Sequence, residues 1–323
     1  MKRLLITICG RAGSKGFKNK NLKVFCGKPL VYYSLSAAEL FIKNHPELTV
    51  DIALNTDSED LAKLVAAEYP EVVYLPRGAE LGGDRVLTTP DYAAYLKIAE
   101  GCDNRCAYCA IPYIRGGYRS RPMEELVREA KELSALGVRE LTVIAQDITR
   151  YGKDLYGHYA LHELLHRITE ETDIPWIRLL YCYPDKITDE LIDVIADEPK
   201  IVKYLDIPLQ HVSKRILRAM HRPGDGAEFT ALIEDMRRRI PGLVLRTSLI
   251  VGLPGETDEE FAELCEFLQN AAIERVGVFE YSPEEGTEAA EMPDQIDAET
   301  KQNRRLIVEE LQSGVLDDYN TSR

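Results

Sequence analysis

"AEGCDNRCAYCAIPYIRGGYRSR", residues 99–121, sets Cys102, Cys106 and Cys109 in a C-x3-C-x2-C run with no fourth cysteine behind it. A closed structural zinc site uses four ligands, and disulfides use an even number of thiols. Three thiolates from one loop can instead wrap a cubane cluster, giving three irons a protein ligand and leaving the fourth open to a small molecule. The spacing alone also admits a zinc ion completed by a distant ligand, or a redox pair at Cys106 and Cys109.

The loop follows directly on the apolar segment "YLKIA" (95–99). From residue 92 onward, strand-like segments alternate with amphipathic helices. Strands are expected at "YAAYLKIA" (92–99), "ELTVIAQ" (140–146), "WIRLLYCY" (176–183), "KYLDIPL" (203–209), "LVLRTSLIVG" (243–252) and "RVGVFEYS" (275–282). Helices such as "MEELVREAKELSAL" (123–136) and "TDEEFAELCEFLQNAA" (257–272) lie between them. Six strand–helix repeats predict an open, partial parallel (β/α)6 barrel, whose site lies at the C-terminal strand ends.

The earlier residues alternate in the same way. "RLLITI" (3–8), "VDIALNTD" (50–57) and "VVYLP" (72–76) read as strands, with helices at 29–44 and 58–69. Two β-α-β units predict a truncated doubly wound, Rossmann-like α/β segment. The turn-rich "RGAELGGDRVLTTPD" (77–91) marks a boundary. Residues 1–84 carry 11 Lys/Arg and 10 Asp/Glu, leaving 29 and 44 for residues 85–323. This break in charge supports a division into 1–84, a core domain at 85–312 and a tail at 313–323.

Composition bounds the function. The net charge of −14 argues against a surface that grips nucleic acid directly. No apolar run approaches the ~18 residues that span a bilayer. The N-terminal apolar run reads as a strand rather than a secretory signal. Seven cysteines, an odd number, point to no disulfide framework and to the reducing cytoplasm. Cys9 and Cys26 read as buried small hydrophobes.

The cysteine run, with Tyr108 just before its last cysteine, resembles the signature of the radical S-adenosylmethionine (SAM) superfamily. The resemblance implies a 4Fe–4S cluster whose open iron holds the methionine end of SAM. One electron from that cluster splits SAM to a 5′-deoxyadenosyl radical. Residues 85–122, "VIAQDITRYGKDLYG" (143–157), "YLDIPLQHVSKRILRAMHR" (204–222), "RTSLIVGLPGET" (246–257) and "FEYSPEEGTEA" (279–289) look like successive blocks of the methylthiotransferases. The "AQDITRYGKDLYG" block (145–157) resembles the branch that modifies an aspartate of a small-subunit ribosomal protein more than the tRNA-modifying branch. The likeness makes Cys102, Cys106 and Cys109 the cluster ligands. It places Tyr108 beside the cluster, Gln146, Gln210 and Arg246 as polar contacts to SAM, and Gly255 in a turn near its adenine. A ribosomal protein substrate and an electron donor such as flavodoxin or ferredoxin are the implied partners. The family also carries an N-terminal domain with three further cysteines and a small C-terminal β-domain. Residues 1–84 supply only Cys9 and Cys26, and the chain ends at "LQSGVLDDYNTSR". The expectation is a radical-generating core without the parts that insert sulfur and recognise a macromolecule.

"ICGRAGSKGFKNKNLKVFCGKPL" (8–30) and "NTDSE" (55–59) resemble the opening of acylneuraminate cytidylyltransferases and related sugar nucleotidyltransferases. Backbone amides of a glycine-rich turn can approach phosphates there, with basic side chains neutralising charge. Arg11, Gly13, Ser14, Lys15, Lys20 and Asn21 match that motif. The later acidic residues that hold magnesium have no counterpart, so the expectation is a nucleotide-binding fragment without transfer activity, fused near residues 84–87. The alternative to radical chemistry is therefore a cytidine-nucleotide binding protein with an inert second region.

Three further motifs compete for attention. "HELLH" (162–166), extended by His158, matches a zinc-protease pattern, yet Leu161, Leu164, Leu165 and Ile168 explain it as a packing helix. "RRR" (237–239) reads as a solvated helix end. Lys214, Arg215, Arg218, His221 and Arg222 could face an anionic group or simply solvent.

Overall fold

A computed structural model describes residues 3–10, 20–56, 58–76 and 89–321. The chain forms two units, Met1–Glu80 and Leu81–Arg323. The proposed join at 84–87, together with Arg11, Gly13, Ser14 and Lys15, lies outside the described residues.

In the first unit β1 (Arg3–Gly10), α1 (Leu30–Asn44), β2 (Thr49–Thr56), α2 (Glu59–Glu68) and β3 (Val73–Pro76) build a parallel sheet in the order β1-β2-β3. Ile8, Ile52 and Leu54 bury one face against Val31 and Leu35 of α1 and Leu61 and Val65 of α2. Ser58 caps α2 by accepting the Leu61 amide at 3.2 Å. Lys20 and Asn21 sit in a short 3-10 turn, Lys20–Leu22. Cys9 and Cys26 are exposed, not buried. Cys9 follows the buried Ile8 and so takes the opposite face of its strand. Cys26, at φ +46°, forms with Gly27 the two-residue turn of a small hairpin, Val24–Phe25 with Lys28–Pro29.

The second unit contains β4 (Ala93–Lys97), α3 (Met123–Ala135), β5 (Glu140–Ile144), α4 (Leu161–Glu171), β6 (Trp176–Leu179), α5 (Asp189–Asp197) and β7 (Ile201–Asp206). It continues with α6 (Lys214–Ala219), α7 (Gly226–Arg239), β8 (Val244–Val251), α8 (Asp258–Ala271), β9 (Arg275–Glu280) and α9 (Ala298–Thr321). The six strands pair in parallel in sequence order, β4-β5-β6-β7-β8-β9, as the partial barrel requires. Leu141, Val143, Ile177, Leu179, Leu245 and Leu249 pack under the helices against Leu126, Leu164, Ile168, Leu264 and Phe267. Each such side chain stabilises the fold by roughly 1.5–3 kcal/mol on burial.

Two motifs resolve differently from their sequence reading. Helix α4 begins at Leu161, so His158 lies before it and pairs with Glu163 at 2.6 Å instead of joining a histidine row. Arg237 and Arg239 are not a solvated end. Arg237 donates to the Ala271 carbonyl at 2.6 Å, and Arg239 pairs with Asp193 at 2.6 Å, tying α7 to α8 and α5.

Glu260 joins α6 to α8. Its carboxylate takes the Thr257 amide in a capping box, the Ser213 hydroxyl at 3.0 Å and the Arg215 fork, with Nε at 2.7 Å. Burial pushes its pKa up, but the hydrogen bonds from Arg215, the Thr257 amide and Ser213 outweigh burial and hold it at about 2. A depressed carboxyl stabilises the fold above its ordinary value of 4.5 and loses that contribution as pH falls toward 2. Glu260→Gln is expected to cost on the order of 2 kcal/mol at pH 7. Thermal unfolding at several pH values checks this: the gap from wild type should narrow steadily below pH ~4.5.

Candidate functional site

A cavity of about 670 Å³ opens at the C-terminal strand ends, and Cys102, Cys106 and Cys109 all line it. Hydrogen bonds from several elements hold the loop that carries them. Gly101, at φ +76°, turns the chain out of the barrel so that the Cys102 amide donates to the Gly116 carbonyl at 3.1 Å. Asn104 donates to the fully buried Asp147 at 2.9 Å, and Lys186 reaches Asn104 at 3.1 Å and Asp147 at 3.4 Å. Asp103 accepts the Tyr118 amide at 3.0 Å and Arg150 at 3.1 Å. Ala107 donates to Met220 at 3.1 Å and accepts from the Ala289 amide at 2.9 Å. Side chains and backbone from β5, β6, α6 and the β9 loop thus hold one short segment.

The rest of the lining comes from strand alternation. Along β8, Leu245, Thr247, Leu249 and Val251 are buried, whereas Arg246, Ser248 and Ile250 face the cavity. Arg246 is clamped by Asp206 at 2.6 Å and Ser248 at 3.1 Å. Gln210, at φ +73°, prolongs the ladder past β7: its amide donates to Ser248 at 2.9 Å and its carbonyl accepts from Ile250 at 2.8 Å. Gln146 enters from the end of β5, and Tyr108 lies on the cysteine loop itself. The cavity therefore gathers the three cysteines, Tyr108, Gln146, Gln210 and Arg246.

Gly255 is placed elsewhere. Its amide donates to the Asp294 carbonyl at 2.9 Å and its carbonyl accepts from Arg215 at 2.6 Å. The glycine-rich turn is braced by the buried Glu256, which takes the Gly252 amide and the Leu253 amide at 3.1 Å. That turn starts α8 and does not border the cavity.

The basic cluster divides. Lys214 pairs with Asp225, Arg215 with Glu260 and His221 with Glu288, all toward the surface. Arg222 alone turns inward, 6% exposed, over the Tyr183 ring at 4.0 Å. Asp147, Lys186, Tyr183 and Asp206 were not anticipated; the first three converge only through loops that follow β5 and β6.

The donor chemistry can be judged directly. Among the described residues, no three His, Cys, Asp or Glu side chains gather as ligands for a single ion. The three thiols border one cavity of about 670 Å³, room enough for a group larger than a single ion. Burial pushes Cys102 up to about 11 and raises Cys109, against the Asn104 and Ile111 backbone amides that favour their thiolates. A metal bound at these thiols would therefore release protons. Burial likewise raises Tyr108 and Tyr183, so both phenols stay protonated.

The fold and the cysteine wall define one class. A family model for the radical SAM superfamily matches residues 96–268, and the chain belongs to that superfamily. Within it, the chain is 54% identical over 239 residues to the ribosomal protein uS12 methylthiotransferase RimO of Desulforamulus reducens, covering 74% of this chain and 54% of that protein. It is 49% identical over 282 residues to the RimO of Anaeromyxobacter sp., covering 86% and 60%. The chain thus spans little more than half the length of these curated relatives. A radical SAM methyltransferase, TsrM of Kitasatospora setae, solved with cobalamin and a 4Fe–4S cluster, shares the fold at TM-score 0.56 and 15% identity, covering 88% of this chain and 66% of that one. Separately, a cytidylyltransferase family model matches residues 5–90. No helix among the described residues is long and apolar enough to cross a membrane.

Proposed function

We propose that the chain is a cytoplasmic radical SAM enzyme of the methylthiotransferase type, acting on an aspartate of ribosomal protein uS12 and drawing electrons from a small donor such as flavodoxin or ferredoxin. The observation that carries this reading is the placement of three cysteines on one wall of a cavity at the strand ends. Cys102, Cys106 and Cys109 would hold a 4Fe–4S cluster. When bound, the cluster supplies one electron to SAM and so a carbon radical able to abstract hydrogen.

The chain's own residues bind and orient. Tyr108 covers one side of the cavity, and Gln146 and Gln210 offer amide donors and acceptors. Arg246, held by Asp206 and Ser248, presents a fixed cationic fork to an anionic group of SAM. The deciding experiment is anaerobic reconstitution followed by a SAM-cleavage assay, with mass spectrometry of uS12 afterward. Release of 5′-deoxyadenosine supports the radical reading, and a methylthio group on uS12 supports the full activity. A fully iron-loaded chain that leaves SAM intact would refute both. Arg246→Gln should weaken SAM binding by roughly 10- to 100-fold, the loss of one charge-assisted contact, as read by titration calorimetry of the loaded protein.

The match over residues 5–90 favours a second reading for the first unit, retention of a cytidine nucleotide. Asn21 and Lys20, with Arg11, Gly13, Ser14 and Lys15, would hold its phosphates. CTP-dependent thermal stabilisation of the iron-free chain tests it.

A further inference from the structure

We propose that Arg222, assisted by Tyr183, raises the reduction potential of the cluster by acting on its ligand Cys106; this rests on the cysteine site described above. Arg222 Nη1 lies 3.8 Å from Cys106 Sγ, and its Nη2 is anchored on the Pro208 carbonyl at 2.5 Å. Tyr183 Oη lies 3.5 Å from the same sulfur. The other two thiols meet backbone amides, of Asn104 and Ile111. Cys106 is thus the ligand met by a cation and a phenol together.

The arginine is otherwise poorly explained. It is 6% exposed, and among the described residues no carboxylate lies within ion-pair distance of it. A buried charge is retained when an anion compensates it. Arg222 Nη1 is directed at the Cys106 sulfur at 3.8 Å, the ligand that a bound cluster would make anionic. Stacking on Tyr183 at 4.0 Å and the Pro208 contact fix the guanidinium plane, so it is not free to turn toward solvent.

One-electron reduction adds a negative charge that spreads over the cluster and its sulfurs. A cation about 4 Å from a ligand sulfur in a poorly screened interior stabilises the reduced form more than the oxidised one. Hydrogen bonds to cluster sulfurs act in the same direction. Arg222 and Tyr183 are positioning and tuning groups here, acting through Cys106 and not on the substrate.

The test is a dithionite titration followed by electron paramagnetic resonance on the reconstituted full chain, as wild type, R222Q, R222K and Y183F. Iron and labile sulfide are measured on each sample, with and without SAM. R222Q and Y183F should shift the midpoint to more negative potential, and R222K should restore most of the wild-type value. Variants that carry about four irons each yet share one potential would overturn the proposal. So would an R222Q variant whose potential is unchanged while its SAM affinity falls, because the arginine would then be a cofactor contact. Should R222Q fail to load, Y183F, which keeps the ring and the arginine, still decides: an unchanged potential in it overturns the proposal. A wild type that binds no cluster would overturn the cysteine site itself, a different and separately visible failure.

Discussion

Replacing Cys102, Cys106 or Cys109 with serine is expected to strip most of the iron from the reconstituted chain and abolish SAM cleavage. In the proposed site each thiol would anchor a different iron of a cubane, so no neighbour could substitute for the one removed. Cys182 offers no rescue, being fully buried in the barrel core, and Cys265 sits on α8, away from the cavity. The readout is iron and labile sulfide per chain, with cleavage measured on the same sample. A serine variant that keeps its iron and its cleavage would remove that cysteine from the ligand set. The raised thiol pKa values add a sign. Because Cys102 stands near 11 without metal and iron takes thiolates, assembly should be more complete at pH 8.5 than at 6.5 under the same iron and sulfide supply. The serine variants should gain far less from that rise.

The second large effect is expected one residue earlier. Gly101 has φ +76°, and a Cβ added there would overlap the Gly117 carbonyl oxygen and stand 2.7 Å from that of Gly116. Neither neighbour is a flexible side chain that could swing away. Gly101→Ala should cost roughly 2–4 kcal/mol, from the left-handed backbone and the overpacking together. It should also loosen the Cys102–Gly116 contact that presents the first ligand. The expected result is a lower melting temperature together with reduced iron occupancy, although every cysteine is still present. A Gly101→Ala chain with wild-type stability and full iron would show that the loop can reshape around the added methyl.

Much of the barrel was legible. Apolar segments with strand spacing, separated by amphipathic helices, predicted six parallel strands, and six pair in sequence order. Boundaries slipped where strands end at the site. "WIRLLYCY" reads as eight strand residues, but β6 stops at Leu179. The chain then departs through Tyr181, at φ +66°, and delivers Tyr183 to Cys106. Local propensity favours continued strand there, and tertiary contacts override it. Cys9 was misplaced for a related reason, since which face of a strand is covered depends on the helices that pack on it.

The sequence by itself singled out three cysteines. The spacing of Cys102, Cys106 and Cys109 is a local property of one loop, legible without any fold. It determined the barrel as well, because the hydrophobic period is also local. Only the tertiary structure decided which polar residues attend those cysteines. Arg222 lies 116 positions from Cys106 and looks like its neighbours Lys214, Arg215 and Arg218 in composition, yet it alone is folded inward. Asp147 and Lys186 brace Asn104 from loops 43 and 82 positions away. Gly255, close in motif to the cofactor site, instead lies at the start of α8. Pairings across such separations follow from strand order and helix packing, which no short window of sequence contains.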